Sequence, residues 1–347
     1  MPYTEIYVDP ALDASPQIGD GSIGSPYSDL EHAIIQETFD VTNGTRVNIK
    51  AGTAEVLAAN LLTALNDTSV SVAWGPWENR PLIFQGYTSA AGDGGMGSIS
   101  GGGAVPILDE TTTKPYVNFV DLELHNVGAN EVLDLAAQCC VIRCEVHTAS
   151  GIGGVNVSTG GVVADCYVHD VDGVAIGGLG LYINNHVVQG TGTITSAISM
   201  GSGSVIRNIV EVSGAADGIL AGQDATVMHN AIYAAGAATG QGIYIVGNQV
   251  AARVTNNLIE GFSGAGGYGI KYSGGSATQV RVTGGNSVYD CATAFDPAGR
   301  APVRDYGGDE TLSVSPFTSA STGDFSPVDT GSVKEGALPQ IIGGGLV

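Results

Sequence analysis

Apolar and polar residues alternate through the middle of the chain in short stretches that recur. Asn118–His125, Val141–His147 and Val163–His169 stand about 22 residues apart, each with its aliphatic residues at every second position. The same slot continues in Tyr182–Val188, Val205–Val210, Val227–Tyr233 and Val254–Ile259, and weakly in Asn286–Tyr289. Period two predicts strands with one buried face. A second apolar stretch follows in each copy: Val132–Leu135, Val155–Val157, Val174–Ile176, Ala197–Met200, Ile219–Leu220, Ile243–Ile245 and Ile270–Tyr272. Glycine introduces several of these, as at Gly173, Gly218 and Gly242. No interval is long enough for a crossover helix, which excludes βαβ units, and the period is too short for propeller blades. Two or three strands per copy predict one rung of a coiled parallel sheet, with rungs rising about 4.8 Å. The regular rungs are expected over residues 117–300, inside a solenoid running from 46 to 300.

One column of this repeat is polar yet sits on the inward phase. Cys144 and Cys166 hold it first, then Asn185, Asn208, Asn230, Asn257 and Asn286. Stacked amides that hydrogen-bond to one another and to turn backbone offset the cost of burial, so an interior ladder is expected. The ends differ from the middle, as a solenoid requires. Residues 1–45 read as an opening segment with a capping helix, in which Ser28 and Glu31 form a capping box ahead of an amphipathic run from Leu30 to Phe39. Arg46–Lys50 and Leu82–Gln85 read as strands of irregular early rungs. Residues 301–347 are aperiodic and read as a cover or an arm for assembly, with 331–347 the candidate contact.

Composition narrows the function classes. The 347 residues carry 12 Lys and Arg against 34 Asp and Glu, a formal charge of −22. Such a surface repels nucleic-acid phosphates and anionic lipid, and no apolar stretch is long enough for a membrane helix. The expectation is no nucleic-acid partner and no membrane insertion. The first residues, MPYTEIYVDP, show no secretory signal. Five cysteines without a C-x-x-C spacing argue against a disulfide scaffold or structural zinc. Stacked thiols and a bridge between rungs both remain open for Cys144 and Cys166.

The opening Ile6–Asp9, the Gly19-Asp20-Gly21 turn and the helix start at Ser25–Ala33 resemble the N-terminus of right-handed parallel β-helix proteins of the pectate-lyase-like superfamily. Ser315–Thr318 and Gly323–Ser326 are similar to the family's common exit. The resemblance spans nearly the whole chain and implies an all-β, right-handed parallel β-helix with an N-terminal capping helix and an irregular C-terminal segment. It implies no particular activity, because the superfamily holds lyases, hydrolases, epimerases, virus appendages and inert scaffolds.

Three sets of side chains carry candidate chemistry. Asp170 and Asp172 lie near one turn beside His169 and are the candidate carboxylates of a glycosidase; aspartate ahead of Gly173 equally suits an ordinary bend. His125, His147 and His169 share one outward position on consecutive rungs, with Glu123 and Glu145 two residues back. Imidazoles about 5 Å apart can share a divalent metal or stack as a solvated column. The arginines of the rungs do not converge, and Lys271 stands alone in its stretch, which argues against a lyase whose base is a cation. No set forms a recognisable catalytic motif, so no cofactor is expected beyond that candidate divalent metal.

The sequence therefore reads first as a non-enzymatic structural or attachment protein, a phage virion component such as a tailspike, fibre or capsid-surface protein. That places it in the virion or outside cells, self-associated (a trimer being one form) or bound to other virion proteins, with a surface glycan as a further partner. The alternatives are a polysaccharide-degrading enzyme, hydrolase before lyase, and a bacterial surface or matrix protein.

Overall fold

The computed structural model describes residues 3–12, 19–36, 43–58, 61, 81–102, 106–109, 116–126, 128, 131–148, 153–189, 196–222, 224–246, 252–273, 281–296, 303–305 and 308–328. The chain divides into two compact units, Met1–Asp172 and Gly173–Val347. Each is a coil of parallel strands, and no helix among the described residues is long and apolar enough to cross a membrane.

In the first unit, Thr4–Val8 pairs in parallel with Thr45–Lys50, which pairs with Leu82–Tyr87, then Val117–Val120, then Cys140–Ile142. The solenoid thus begins at residue 4, ahead of the helix. A second sheet stacks Ala54–Val56, Gly97–Ser100, Leu122–Asn126, Glu145–Thr148 and Tyr167–Val171. Inward residues such as Val47, Phe84, Phe119 and Val141 are fully buried, and Phe84 stacks on Phe119 at 5.3 Å. The helix spans Leu30–Gln36 and buries Leu30, Ala33 and Ile34. The cap position falls one residue later than the capping box predicts: Asp29 Oδ1 accepts from the His32 N–H at 2.6 Å, and Glu31 accepts from the Ala58 N–H. A cap accepts from the second or third amide of its helix, and with the helix beginning at Leu30 the His32 N–H is the third. The end expected at Phe39 lies outside the described residues.

The second unit repeats the plan. Tyr182, Val205, Val227 and Val254 are buried at corresponding positions, and so are Val187, Val210, Ile232 and Ile259 on the other sheet. Val174–Ile183 and Ser196–Ile206 are single long strands, where the sequence pattern suggests two short ones. Pairing survives the corner because Gly178 takes φ 109° at a register shift, a conformation closed to side-chain-bearing residues. The glycines at 218, 242 and 269 answer a different need. A Cβ on Gly218 would fall 2.6 Å from Ile232, one on Gly269 would fall 2.5 Å from Val288, and one on Gly242 would collide with Ile259. Glycine lets the two sheets approach at this edge.

The bend between sheets is one residue in the left-handed region: Asp121, Arg143 and Asp165 in the first unit, Asn184, Arg207, His229 and Asn256 in the second. Each is followed directly by an inward-facing residue, at Cys144, Cys166 and the asparagines alike. Rung-to-rung hydrogen bonds continue through the bend, as from Arg207 N–H to Met228 O and from Ala231 N–H to Asn208 O. The five asparagines are at most 1% exposed. Side chains donate forward, from Asn185 to Asn208 Oδ1 at 2.9 Å, then to Asn230 at 3.0 Å, Asn257 at 2.9 Å and Asn286 at 2.9 Å. The backbone N–H of each donates to the same oxygen. From Asn208 onward, the amide nitrogens also reach strand carbonyls such as Tyr182 O and Val205 O. Buried amides cost little when satisfied in this way.

All five cysteines are thiols. Cys166 donates to Val141 O and Ala164 O, and burial holds the Cys144 thiol well above its ordinary pKa, so this pair acts as small core residues rather than as a bridge.

The rungs continue past residue 300: Val303–Asp305 pairs with Arg281–Gly284, and Glu310–Thr311 with Ser287–Tyr289. An antiparallel pair, Phe317–Ser319 with Asp324–Pro327, then folds back onto the unit's own outer face. Phe317 and Phe325 form a cluster with Ala231, Leu258 and Ala320, flanked by Ile209 and Tyr233. The candidate assembly segment 331–347 lies outside the described residues.

Candidate functional site

The histidine column faces outward, and register explains its geometry. Glu145 pairs with Glu123 and with Tyr167, and His147 with His125 and with His169, so side chains of equal rank lie on neighbouring rungs. Ring centroids are 5.1 Å apart from His125 to His147 and again from His147 to His169, and Tyr167 stacks on His169 at 4.4 Å. Two of the imidazoles reach back one rung to a carboxylate, His147 Nε2 to Glu123 Oε1 at 3.1 Å and His169 Nε2 to Glu145 Oε1 at 3.0 Å. His169 Nδ1 also lies 2.8 Å from Asp170. For Glu123, burial pushes the carboxyl pKa up, but the Ser98 hydroxyl, the His147 hydrogen bond and the two imidazoles prevail and hold it below the usual range. Burial, with the neighbouring His147, lowers that of His125.

Asp170 is 77% exposed at its side chain and bends in the left-handed region toward His169; Asp172 is exposed in the following bend. Asp170 thus serves as the partner of His169. Of the three histidines, the ligand atoms of His125 and His147 converge with Glu123, all within 4.8 Å of one another. His169 has both ring nitrogens engaged and stays outside that set. Arg143, in the bend below, is committed to a two-pronged contact with Asp121, at 2.6 and 2.8 Å.

A second surface lies on the outer face of the second unit. Strands Asp217–Ala221, Gln241–Ile245, Tyr268–Tyr272 and Thr293–Phe295 run in parallel, with Ile219, Ile243 and Ile270 buried in one row. The next residue of each strand points out, which sets Tyr244 beside Lys271. The Lys271 ammonium stands 5.2 Å from the Tyr244 ring centre and 4.9 Å from that of Tyr268. Asp217 opens the first of these strands, two residues ahead of Ile219 and in the same phase. It is 9% exposed, and its Oδ1 accepts from Gln241 N–H at 2.8 Å. Burial raises its pKa to about 6, against the opposing pull of that hydrogen bond and of the Lys271 charge. Lys271, the lone cation of its stretch, thus stands between a tyrosine of the neighbouring rung and one three residues back on its own strand.

A cleft near the N-terminus, lined by Asp9, Lys50, Tyr87 and Ser89 among others, holds a cation already paired, Lys50 to Asp9 at 2.6 Å.

No protein-family model and no curated protein sequence matches the chain. Among solved structures it is similar to pectate lyase Pel9A, with TM-score 0.50 and 12% identity over 99% of this chain and 90% of that one. It is also similar to the catalytic unit of a GH87 alpha-1,3-glucanase from Streptomyces thermodiastaticus (TM-score 0.42, 12% identity, 91% and 70% covered). A third is the A-module of the Azotobacter vinelandii mannuronan C-5 epimerase AlgE4 (TM-score 0.41, 13% identity, 89% and 98% covered). The chain has the pectate-lyase-like parallel β-helix fold. That fold places both candidate surfaces on outward sheet faces, where an extended ligand can run across several rungs.

Sequence reasoning placed the histidine column and the asparagine ladder and missed the Tyr244–Lys271–Tyr268 surface. The signal was present in the shared slot: the outward residues next to Ile243 and Ile270 are Tyr244 and Lys271.

Proposed function

We propose that the protein is a polysaccharide-active β-helix protein that engages glycan on the outer face of its second unit. The observation that carries this reading is the Lys271 ammonium held against the Tyr244 and Tyr268 rings, beside the proton-retaining carboxyl of Asp217. Tyrosine faces bind the apolar faces of sugar rings while their hydroxyls stay wet, and an ammonium donates to sugar oxygens. A carboxyl with pKa about 6 still carries its proton in a mildly acidic medium and can deliver it to a departing glycosidic oxygen. The formal charge of −22 favours a neutral glycan over a polyuronate.

The test is a panel of neutral and acidic polysaccharides, scored for reducing ends, unsaturated products and binding. Hydrolysis of a neutral glycan, lost about 100-fold in Asp217→Asn and weakened in binding by Tyr244→Ala or Lys271→Ala, supports the reading. Binding without products from any glycan would instead favour an attachment protein, such as a virion appendage. No binding at all would overturn both.

A further inference from the structure

We infer that Glu123, His125 and His147 form a transition-metal site of the zinc-binding type on the outer face of the first unit. The proposal is independent of the glycan surface, which belongs to the other unit. Two imidazoles and one carboxylate are the donor set that suits zinc, and three protein ligands leave a position for water. Their ligand atoms lie within 4.8 Å of one another. The separation of His147 Nε2 from Glu123 Oε1, 3.1 Å, is already close to the edge of a tetrahedron with zinc bonds of about 2.0 Å, roughly 3.3 Å. His125 supplies the third corner by turning its ring about the Cβ–Cγ bond.

His125 also has something to gain. Its Nε2 is shielded from solvent and has no hydrogen-bond partner, although the ring stands 5.1 Å from that of His147. A buried ring nitrogen without a partner costs free energy that a metal would return. Neighbouring groups keep the set distinct. His169 is held by Glu145 and Asp170, and Glu145 is in turn occupied by His169, so the next rung orients the site without joining it. Rigid register fixes the donors: Glu123 and His125 share strand Leu122–Asn126, and His147 stands directly opposite His125 on Glu145–Thr148. A bound ion would therefore staple two consecutive rungs.

The experiment uses the full, tag-free chain stripped with a chelator, titrated with zinc alone in competition with a chromogenic chelator, with calcium and magnesium as controls. One zinc per chain is expected, displaced by neither control ion, with a rise in unfolding temperature. His125→Ala and His147→Ala should each weaken zinc binding at least tenfold, and His169→Ala should leave it within twofold. Glu123→Gln keeps the shape of the side chain and serves where an alanine variant misfolds; it should weaken zinc as well. Cobalt in place of zinc should give the visible spectrum of a four-coordinate nitrogen and oxygen site. Absence of stoichiometric zinc binding, or an equal loss in His169→Ala, would overturn the proposal.

Discussion

Asn286 gives two protons to one carboxylate oxygen: its backbone N–H and its Nδ2 lie 2.9 and 2.8 Å from Asp309 Oδ1. Every earlier asparagine gives the same pair to the asparagine ahead of it, so the ladder ends on a group that accepts and has nothing to donate. The other oxygen of Asp309 takes the Thr283 hydroxyl at 2.6 Å.

Asp309→Ala should therefore destabilise the second unit by about 1–3 kcal/mol, because the backbone N–H of the fully buried Asn286 loses its acceptor, while its Nδ2 keeps Val254 O and the Thr283 hydroxyl. Asp309→Asn keeps an oxygen in place and should cost under about 1 kcal/mol. Urea unfolding of both variants checks this, and equal losses would show that charge rather than acceptance ends the ladder.

Glu55 points into the core of the first unit at 5% exposure. Burial and the Asp29 charge raise its pKa from 4.5 to about 7, with the Leu30 N–H opposing and Glu31 adding to the rise. A carboxyl whose folded pKa exceeds its unfolded one favours folding fully below the unfolded value, and that contribution disappears as pH rises through the folded value. Stability should thus fall between about pH 4.5 and 7, by up to about 3 kcal/mol from this group. Glu55→Gln should remove that slope. The difference between variant and wild-type unfolding midpoints across the pH series is the measurement, and parallel curves would refute it.

Phe325 is 4% exposed and meets Phe317 edge to face at 5.4 Å, with Tyr233 and His186 beyond at 6.2 and 6.3 Å. Phe325→Ala should cost about 3 kcal/mol locally, releasing the 317–327 hairpin while the rungs stay folded. Faster amide exchange confined to that hairpin is expected. Unchanged exchange would mean that the strand pairing alone holds it.

What could be read in the sequence was whatever repeats at a fixed rank. The alternation around Val146 and Val168 gave the strands, and the recurrence of asparagine gave the buried ladder, because identical residues on successive rungs must satisfy one another. Asp309 escaped notice although it lies one ordinary interval beyond Asn286: a different residue type after two glycines resembles a turn. The end of the periodic region was set too early for the same reason. Lys271 looked solitary because its neighbours in space are Tyr244, a rung away, and Tyr268, three residues back. For the histidines, register was legible and hydrogen-bond partners were not, since Asp170 engages His169 from the bend. Where the terminal hairpin packs depends on Phe317 and Phe325 finding Ala231 and Leu258, a contact that no local pattern encodes.

The asparagine ladder points one way, each amide giving to the coil ahead and, from Asn208 onward, receiving from the coil behind. An intervening coil is then an interchangeable part. Genetic duplication or excision of one complete coil would rejoin donor to acceptor without a gap, whereas a partial deletion would strand both. The molecule can lengthen or shorten in whole steps, provided the acidic stopper stays last.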